Sequence, residues 1–274
     1  PRRTHARPSA SACSSGSSGT GGLRGRRYTR PDDRAAAPRA PLMRGEDLTK
    51  TLDHTVLAPG ITEEDVERAC EDARRHHFAA LCSYPAFIPL MSERLRGCDV
   101  KTCGVIDFPG GRSSTAERAA AADRAVAEGA EELDVVMNFR AMLAGDFTLA
   151  RDDLARVVRA VRARAANDAR GDVLVKVIIE APLMDDKLKR LACKIVADVG
   201  ADFAKTCTGV GTQATVHDVE LMRDALPEAV GVKAAGGIRT IEAVQTMIGA
   251  GASRVGTSAA VGLMAELAAL NGGS

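Results

Sequence analysis

Eight short apolar runs recur along this chain at the spacing of one strand plus one helix, and that rhythm limits the fold more than any other feature. They are LDHTVL (52–57), FAALCSY (78–84), TCGVIDF (102–108), ELDVVM (132–137), VLVKVIIE (173–180), FAKTCT (203–208), GVKAAG (231–236) and RVGTS (254–258). Markers within them, His54, Cys82, Asp107, Asp134, Ile178, Lys205, Lys233 and Gly256, stand 28, 25, 27, 44, 27, 28 and 23 residues apart. A step of that length holds a strand, a crossover helix and two turns. Thr62 opens TEEDVERACEDARRHH with Val66, Ala69, Cys70 and Ala73 on one face, and Thr215 opens TVHDVELMRDAL with Val219, Met222 and Leu226 on one face. Three helices end on one phrase, GAEELDVV (129–136), GADFAKT (200–206) and GASRVGT (251–257), in which a glycine can close the helix just before a strand. These signals predict a single α/β domain over residues 43–274, a (β/α)8 TIM barrel. An open doubly wound sheet is the weaker alternative, because no GxGxxG phrase follows the first strand.

Residues 1–42 do not share the rhythm. They hold nine Arg, two Asp and the stretch SASACSSGSSGTGG, too little apolar surface to offset the entropy of ordering, and are expected to be disordered. Their charge is 9 − 2 = +7, so the rest of the +1 chain carries 1 − 7 = −6 and presents no basic footprint for nucleic acid. No apolar run is long enough to cross a bilayer, and no basic-then-apolar signal segment opens the chain. Seven cysteines without CxxC spacing suggest reduced thiols rather than disulfides or a zinc knuckle. A cytoplasmic protein with small-molecule partners is expected, not a nucleic-acid or membrane binder.

The chain uses 29 Arg and eight Lys, yet three lysines, Lys176, Lys205 and Lys233, fall inside predicted strands. A guanidinium cannot lose its proton and act as a nucleophile, whereas an ε-amine can. A lone strand lysine is most simply a snorkelling or ion-paired charge; three on consecutive strands of one barrel point instead to chemistry. Lys205 and Lys233 stand near the C-terminal ends of adjacent strands, where barrels build their sites. A lysine with pKa ~10.4 is about 0.04% free amine at pH 7, and bringing it to about 7 takes roughly 3.4 units. Burial and a neighbouring cation both act in that direction, and a free amine can form a Schiff base with a carbonyl. Asp134, among apolar residues of ELDVVM, is either an ion-pair partner for these lysines or a proton shuttle beside the imine. Glycine-bearing loops follow the last three strands, at Gly209-Val210-Gly211, Gly236-Gly237-Ile238-Arg239 and Gly256-Thr257-Ser258, and together favour an anion site. The histidines beyond the tail, His54, His76, His77 and His217, have no metal-ligand spacing, and neither metal nor cofactor is expected. Cys82, at the end of strand 2, is either a core thiol or a reactive one near the mouth.

With those residues placed, the sequence resembles the deoxyribose-phosphate aldolases, a class I family of (β/α)8 fold, from about Leu48 to Leu267. TLDHT, ALCSYPAFIP, VIDFPGG, GAEELDVVMNFRAMLAGDF, LVKVIIE, GADFAKTCTGVG, GVKAAGGIRT and RVGTS carry the resemblance in that order. It implies reversible, metal-free cleavage of 2-deoxy-D-ribose 5-phosphate to D-glyceraldehyde 3-phosphate and acetaldehyde, in deoxynucleotide catabolism. It further implies Lys205 as the Schiff-base lysine, Lys233 as its pKa-lowering neighbour and Asp134 as proton donor and acceptor. Asp53, Thr55 and Thr208 match polar site positions; Gly209, Gly236, Gly237, Arg239, Gly256 and Ser258 fall where the family holds phosphate; Lys176 is supporting. The sequence leaves the oligomeric state open, a homo-oligomer included. Cys207, Val210, Ala181 and Ala259 depart from the family pattern, and the final ALNGGS lacks the tyrosine that some members reach back into the site.

Overall fold

The computed structural model describes residues 45–168 and 171–272; the tail over 1–42 lies outside the described residues. Eight parallel strands close into a barrel in sequence order: β1 (Leu52–Thr55), β2 (Ala80–Ser83), β3 (Lys101–Ile106), β4 (Glu132–Val136), β5 (Leu174–Ile178), β6 (Phe203–Lys205), β7 (Gly231–Ala235) and β8 (Arg254–Thr257). Each overlaps its predicted run, so the (β/α)8 TIM barrel stands. The helices are α1 (Gly45–Thr49), α2 (Glu63–His76), α3 (Ile88–Arg94), α4 (Thr115–Ala127), α5 (Phe139–Leu143), α6 (Phe147–Asn167), α7 (Asp186–Asp198), α8 (Val216–Ala225), α9 (Ile241–Gly249) and α10 (Ala260–Gly272). The one long sequence step, 44 residues from Asp134 to Ile178, holds two helices, α5 and the 21-residue α6.

Local chemistry sets the boundaries. Thr62 accepts from the Asp65 amide while the Asp65 carboxylate accepts from the Thr62 amide, closing the capping box that starts α2, and Thr215 caps α8. The faces expected to be apolar are the buried ones, Val66, Ala69, Cys70 and Ala73 on α2 and Val219 and Met222 on α8. Gly129, Gly200 and Gly251, the glycines of the repeated phrase, all have positive φ (119°, 76° and 109°), a conformation costly for any residue with a Cβ.

Strand alternation then divides the core. Leu52, Leu81, Leu133, Val135, Val175, Val177, Ala204, Val232, Ala234 and Val255 face outward and pack under the helices. The inward set differs on the two sides of the barrel: Ala80, Cys82, Cys103 and Val105 form a small apolar patch from β2 and β3. Across from it, β1 and β4 to β8 turn the charged residues Asp53, Glu132, Asp134, Lys176, Lys205, Lys233 and Arg254 inward. No helix among the described residues is long and apolar enough to cross a membrane.

Candidate active site

Lys205 and Lys233 are direct register partners on β6 and β7, as Asp134 and Lys176 are on β4 and β5, so all four side chains point into the barrel. Lys205 Nζ donates to Asp134 Oδ2 at 2.8 Å and Lys233 Nζ donates to the same oxygen at 2.6 Å. Lys176 Nζ donates to the other oxygen, Oδ1, at 2.9 Å. One carboxylate thus holds three ammonium groups.

Beneath it lies a second tier. Lys233 also reaches Asp53 Oδ2 at 2.5 Å, and Lys176 reaches Glu132 Oε2 at 2.6 Å. Arg254 on β8 ties these acids together, donating to Glu132 Oε1 at 2.8 Å and to Asp53. Lys176, Lys233, Asp53 and Asp134 have no exposed surface. Burying unpaired ions would cost several kcal/mol each, so the alternating signs are a condition of the fold. With every group ionised there are four cations (Lys176, Lys205, Lys233, Arg254) and three carboxylates (Asp53, Glu132, Asp134), a surplus of one positive charge.

The titration of these groups follows from the contacts. Burial would raise the Asp134 pKa, but Lys176, Lys205 and Lys233 hold it well below the usual carboxylate range. Asp53 is likewise lowered, against burial, by Lys233, Lys176 and Arg254. Burial would depress Lys233, but Asp134 and Asp53 hold it above its ordinary value; Lys176 is raised in the same way, by Asp134 first.

Above the ions, at the C-terminal end of the strands, opens a cavity of about 250 Å³. Its walls include nine predicted site residues: Lys205, Thr55, Thr208, Gly209, Gly236, Gly237, Arg239, Gly256 and Ser258. Leu57, Phe108 and Val210 supply an apolar side, Val210 being well exposed at the rim. Of the three interior lysines, Lys205 alone borders this cavity. A larger hollow of about 500 Å³ lies at the opposite end, along Lys101, Glu131, Glu132 and Asp172, and does not reach Lys205. The smaller one, which Lys205 borders, is the candidate site.

Several expected site residues take other places. Asp53 is absent from the cavity wall and wholly buried, its carboxylate paired with Lys233 and Arg254. Cys207 turns away from the amine: its buried thiol donates to Ala235 O at 2.9 Å. Cys82 is a core thiol without exposed surface, with burial opposed by its contact with Cys103. Gly256 has a steric task, since a Cβ there would stand 3.0 Å from Lys233 Cε and 3.2 Å from Ala235 Cβ. Gly256→Ala is therefore expected to destabilise the protein by roughly 1–3 kcal/mol, read from denaturant unfolding, through displacement of the Lys233 stem. At Gly236 a Cβ would meet Cys207 Sγ at 2.8 Å, which lets the β6 and β7 loops touch and close one wall.

Two supporting residues went unread in the sequence. Arg254 is hidden by composition, one arginine among 29. Glu180 sits in a left-handed turn (φ 55°) after β5 and is buried; it accepts from Thr208 N at 3.2 Å and Thr212 Oγ1 at 2.6 Å, fixing the loop that carries Gly209. Its signal was an acid ending the apolar run VLVKVIIE. Among the described residues one group of three metal-type donors occurs, Cys82, Cys103 and Asp134.

Comparison with known proteins gives the family. The family model for DeoC/LacD family aldolases matches residues 48–271. The deoxyribose-phosphate aldolase of Caldanaerobacter subterraneus subsp. tengcongensis is 42% identical over 221 residues, 80% of this chain and 93% of that protein. The one from Bacillus mycoides is 44% identical over 219 residues, 80% of this chain and 95% of that protein. Among solved structures, the tetrameric deoxyribose phosphate aldolase of Aeropyrum pernix is 33% identical with a TM-score of 0.75, covering 83% of this chain and 93% of that one. The chain belongs to the DeoC/LacD family of aldolases and is an enzyme of the lyase class.

Proposed function

We propose that this enzyme cleaves 2-deoxy-D-ribose 5-phosphate reversibly to D-glyceraldehyde 3-phosphate and acetaldehyde through a Schiff base on Lys205. The observation that carries the reading is that Lys205 alone of the interior lysines borders the cavity, while its Nζ shares Asp134 Oδ2 with Lys233. Lys176 and Lys233 are each held by two or more carboxylates, whereas Lys205 pairs with Asp134 alone among the described carboxylates, and Arg254 cannot act as an amine nucleophile.

The free Lys205 amine attacks C1 of the open-chain sugar, and loss of water from the carbinolamine gives the iminium. A base removes the C3 hydroxyl proton, the C2–C3 bond breaks, and its electron pair passes into the iminium. D-Glyceraldehyde 3-phosphate leaves, and a two-carbon enamine remains on Lys205. Protonation of the enamine carbon and hydrolysis release acetaldehyde and restore the amine. Asp134, in contact with Lys205 and Lys233, is the group assigned to move these protons, and Lys233 is the fixed cation beside it. The substrate phosphate is assigned to the far wall, against the backbone of Gly209, Gly236 and Gly237, with Ser258 and Arg239 at its edge.

Cleavage is tested by incubating the purified enzyme with 2-deoxyribose 5-phosphate and chelator and measuring acetaldehyde; conversion without acetaldehyde would rule the reading out. The same reading assigns the enzyme to deoxynucleotide breakdown in the cytoplasm, in keeping with free thiols at all six described cysteines, and to a homo-oligomer, for which light scattering is the test.

A further inference from the structure

Cys82 and Cys103 are register partners on β2 and β3, and both thiols turn into the barrel beside Asp134. Cys103 Sγ lies 3.4 Å from Asp134 Oδ1 and Cys82 Sγ 4.0 Å from Oδ2. One donor atom from each of the three residues lies within 4.8 Å of the others, and all three residues are wholly buried. The reaction described above uses neither thiol. A tetrahedral ion about 2.3 Å from two thiolates and about 2.0 Å from a carboxylate oxygen places sulfur and oxygen about 3.5 Å apart and the sulfurs about 3.8 Å apart. Cys103 Sγ already stands at that distance from Asp134 Oδ1, and the 4.8 Å limit on the other pairs leaves about 1 Å of closure for the ion to draw in.

We propose that Cys82, Cys103 and Asp134 form a binding site for a thiophilic divalent cation, Zn²⁺ or Cd²⁺, whose occupation switches the enzyme off. Two soft sulfurs select against Mg²⁺ and Ca²⁺, which require oxygen ligands. The Lys205 amine, whose nitrogen lies 2.8 Å from Asp134 Oδ2, is the fourth donor. Binding is proton-coupled and involves no redox change: two thiols and one ammonium each lose a proton as the cation enters, so the charge of the cluster goes from +1 to +1 + 2 − 3 = 0. An ion placed there ties up Asp134 and the lone pair of Lys205 at once. It enters from the cavity past Lys205, where Leu57, Tyr84 and Phe108 pack against the thiol patch.

The binding claim stands apart from the Schiff-base reading, and only the inhibition claim rests on it. The test is titration of the full chain with Cd²⁺, in a Cys13→Ser, Cys98→Ser background that leaves only the five buried thiols, following the ultraviolet thiolate-to-cadmium band alongside acetaldehyde release. One Cd²⁺ per chain is expected, with activity falling in step with the band and returning on addition of EDTA. Cys82→Ala and Cys103→Ser should each weaken Cd²⁺ binding by about 100-fold or more. X-ray absorption of the Zn²⁺-loaded protein reads the site without substitution at Cys82 or Cys103 and should find two sulfur ligands. Unchanged affinity in both variants, or fewer than two sulfurs on the metal, overturns the site. Undiminished acetaldehyde release at full occupancy overturns the inhibition.

Discussion

Lys205→Arg is expected to lower kcat for acetaldehyde release from 2-deoxyribose 5-phosphate by on the order of 10⁴-fold or more, while the barrel stays folded. Arginine keeps the positive charge beside Asp134, so the balance of four cations against three carboxylates is unchanged. What is lost is the ability to shed a proton and attack a carbonyl. A steady-state assay paired with a circular-dichroism melt separates the two effects. Activity within about tenfold of the parent would show that the charge at this position matters and the amine does not. Lys233→Arg is a useful contrast, because the fixed cation survives there and a smaller loss follows.

Asp134→Asn should lower kcat by about 10²–10⁴-fold, the range for removing an acid–base group, and should also cost stability. Lys176, Lys205 and Lys233 all donate to this carboxylate, so an amide in its place leaves buried ammonium groups without their shared counter-ion. Removing one partner of a buried ion pair costs roughly 3–5 kcal/mol. The pH dependence follows the same contacts. The Asp134 pKa is lowered in the folded protein, so its contribution to stability is fully present above the unfolded value near ~3.9 and is lost as pH falls through the folded value. Lys176 and Lys233 are raised, so their contribution is present below ~10.4 and is lost as pH rises through their folded values. The parent should therefore lose stability at both extremes, and Asp134→Asn should flatten the acid side. A melting temperature equal to the parent's at neutral pH would count against this account of the interior.

The barrel was legible because each strand is an apolar run set off by capping residues and glycines, all of which are local signals. The upper tier of the site was legible for a related reason: Lys205, Lys233 and Asp134 are charges on strands whose neighbours are small or apolar. The lower tier was not. Asp53 was given only as matching a polar site position, because its phrase, TLDHT, gives no depth along the barrel axis. Depth depends on how β1 is staggered against β8, where Asp53 pairs with Gly256. Gly256 read as an anion turn, whereas it is also the space through which the Lys233 stem passes. Cys207 stood out only as a departure from the family pattern, and where its thiol goes was not legible: β6 ends at Lys205 and the chain turns the thiol toward Ala235 O.

The most direct measurement is mass spectrometry of the protein after treatment with borohydride in the presence of acetaldehyde. A single reduced two-carbon adduct on the peptide containing Lys205, absent in Lys205→Arg, is the expected result. An adduct on Lys233 or Lys176, or no adduct while the enzyme still releases acetaldehyde from 2-deoxyribose 5-phosphate, would contradict the account.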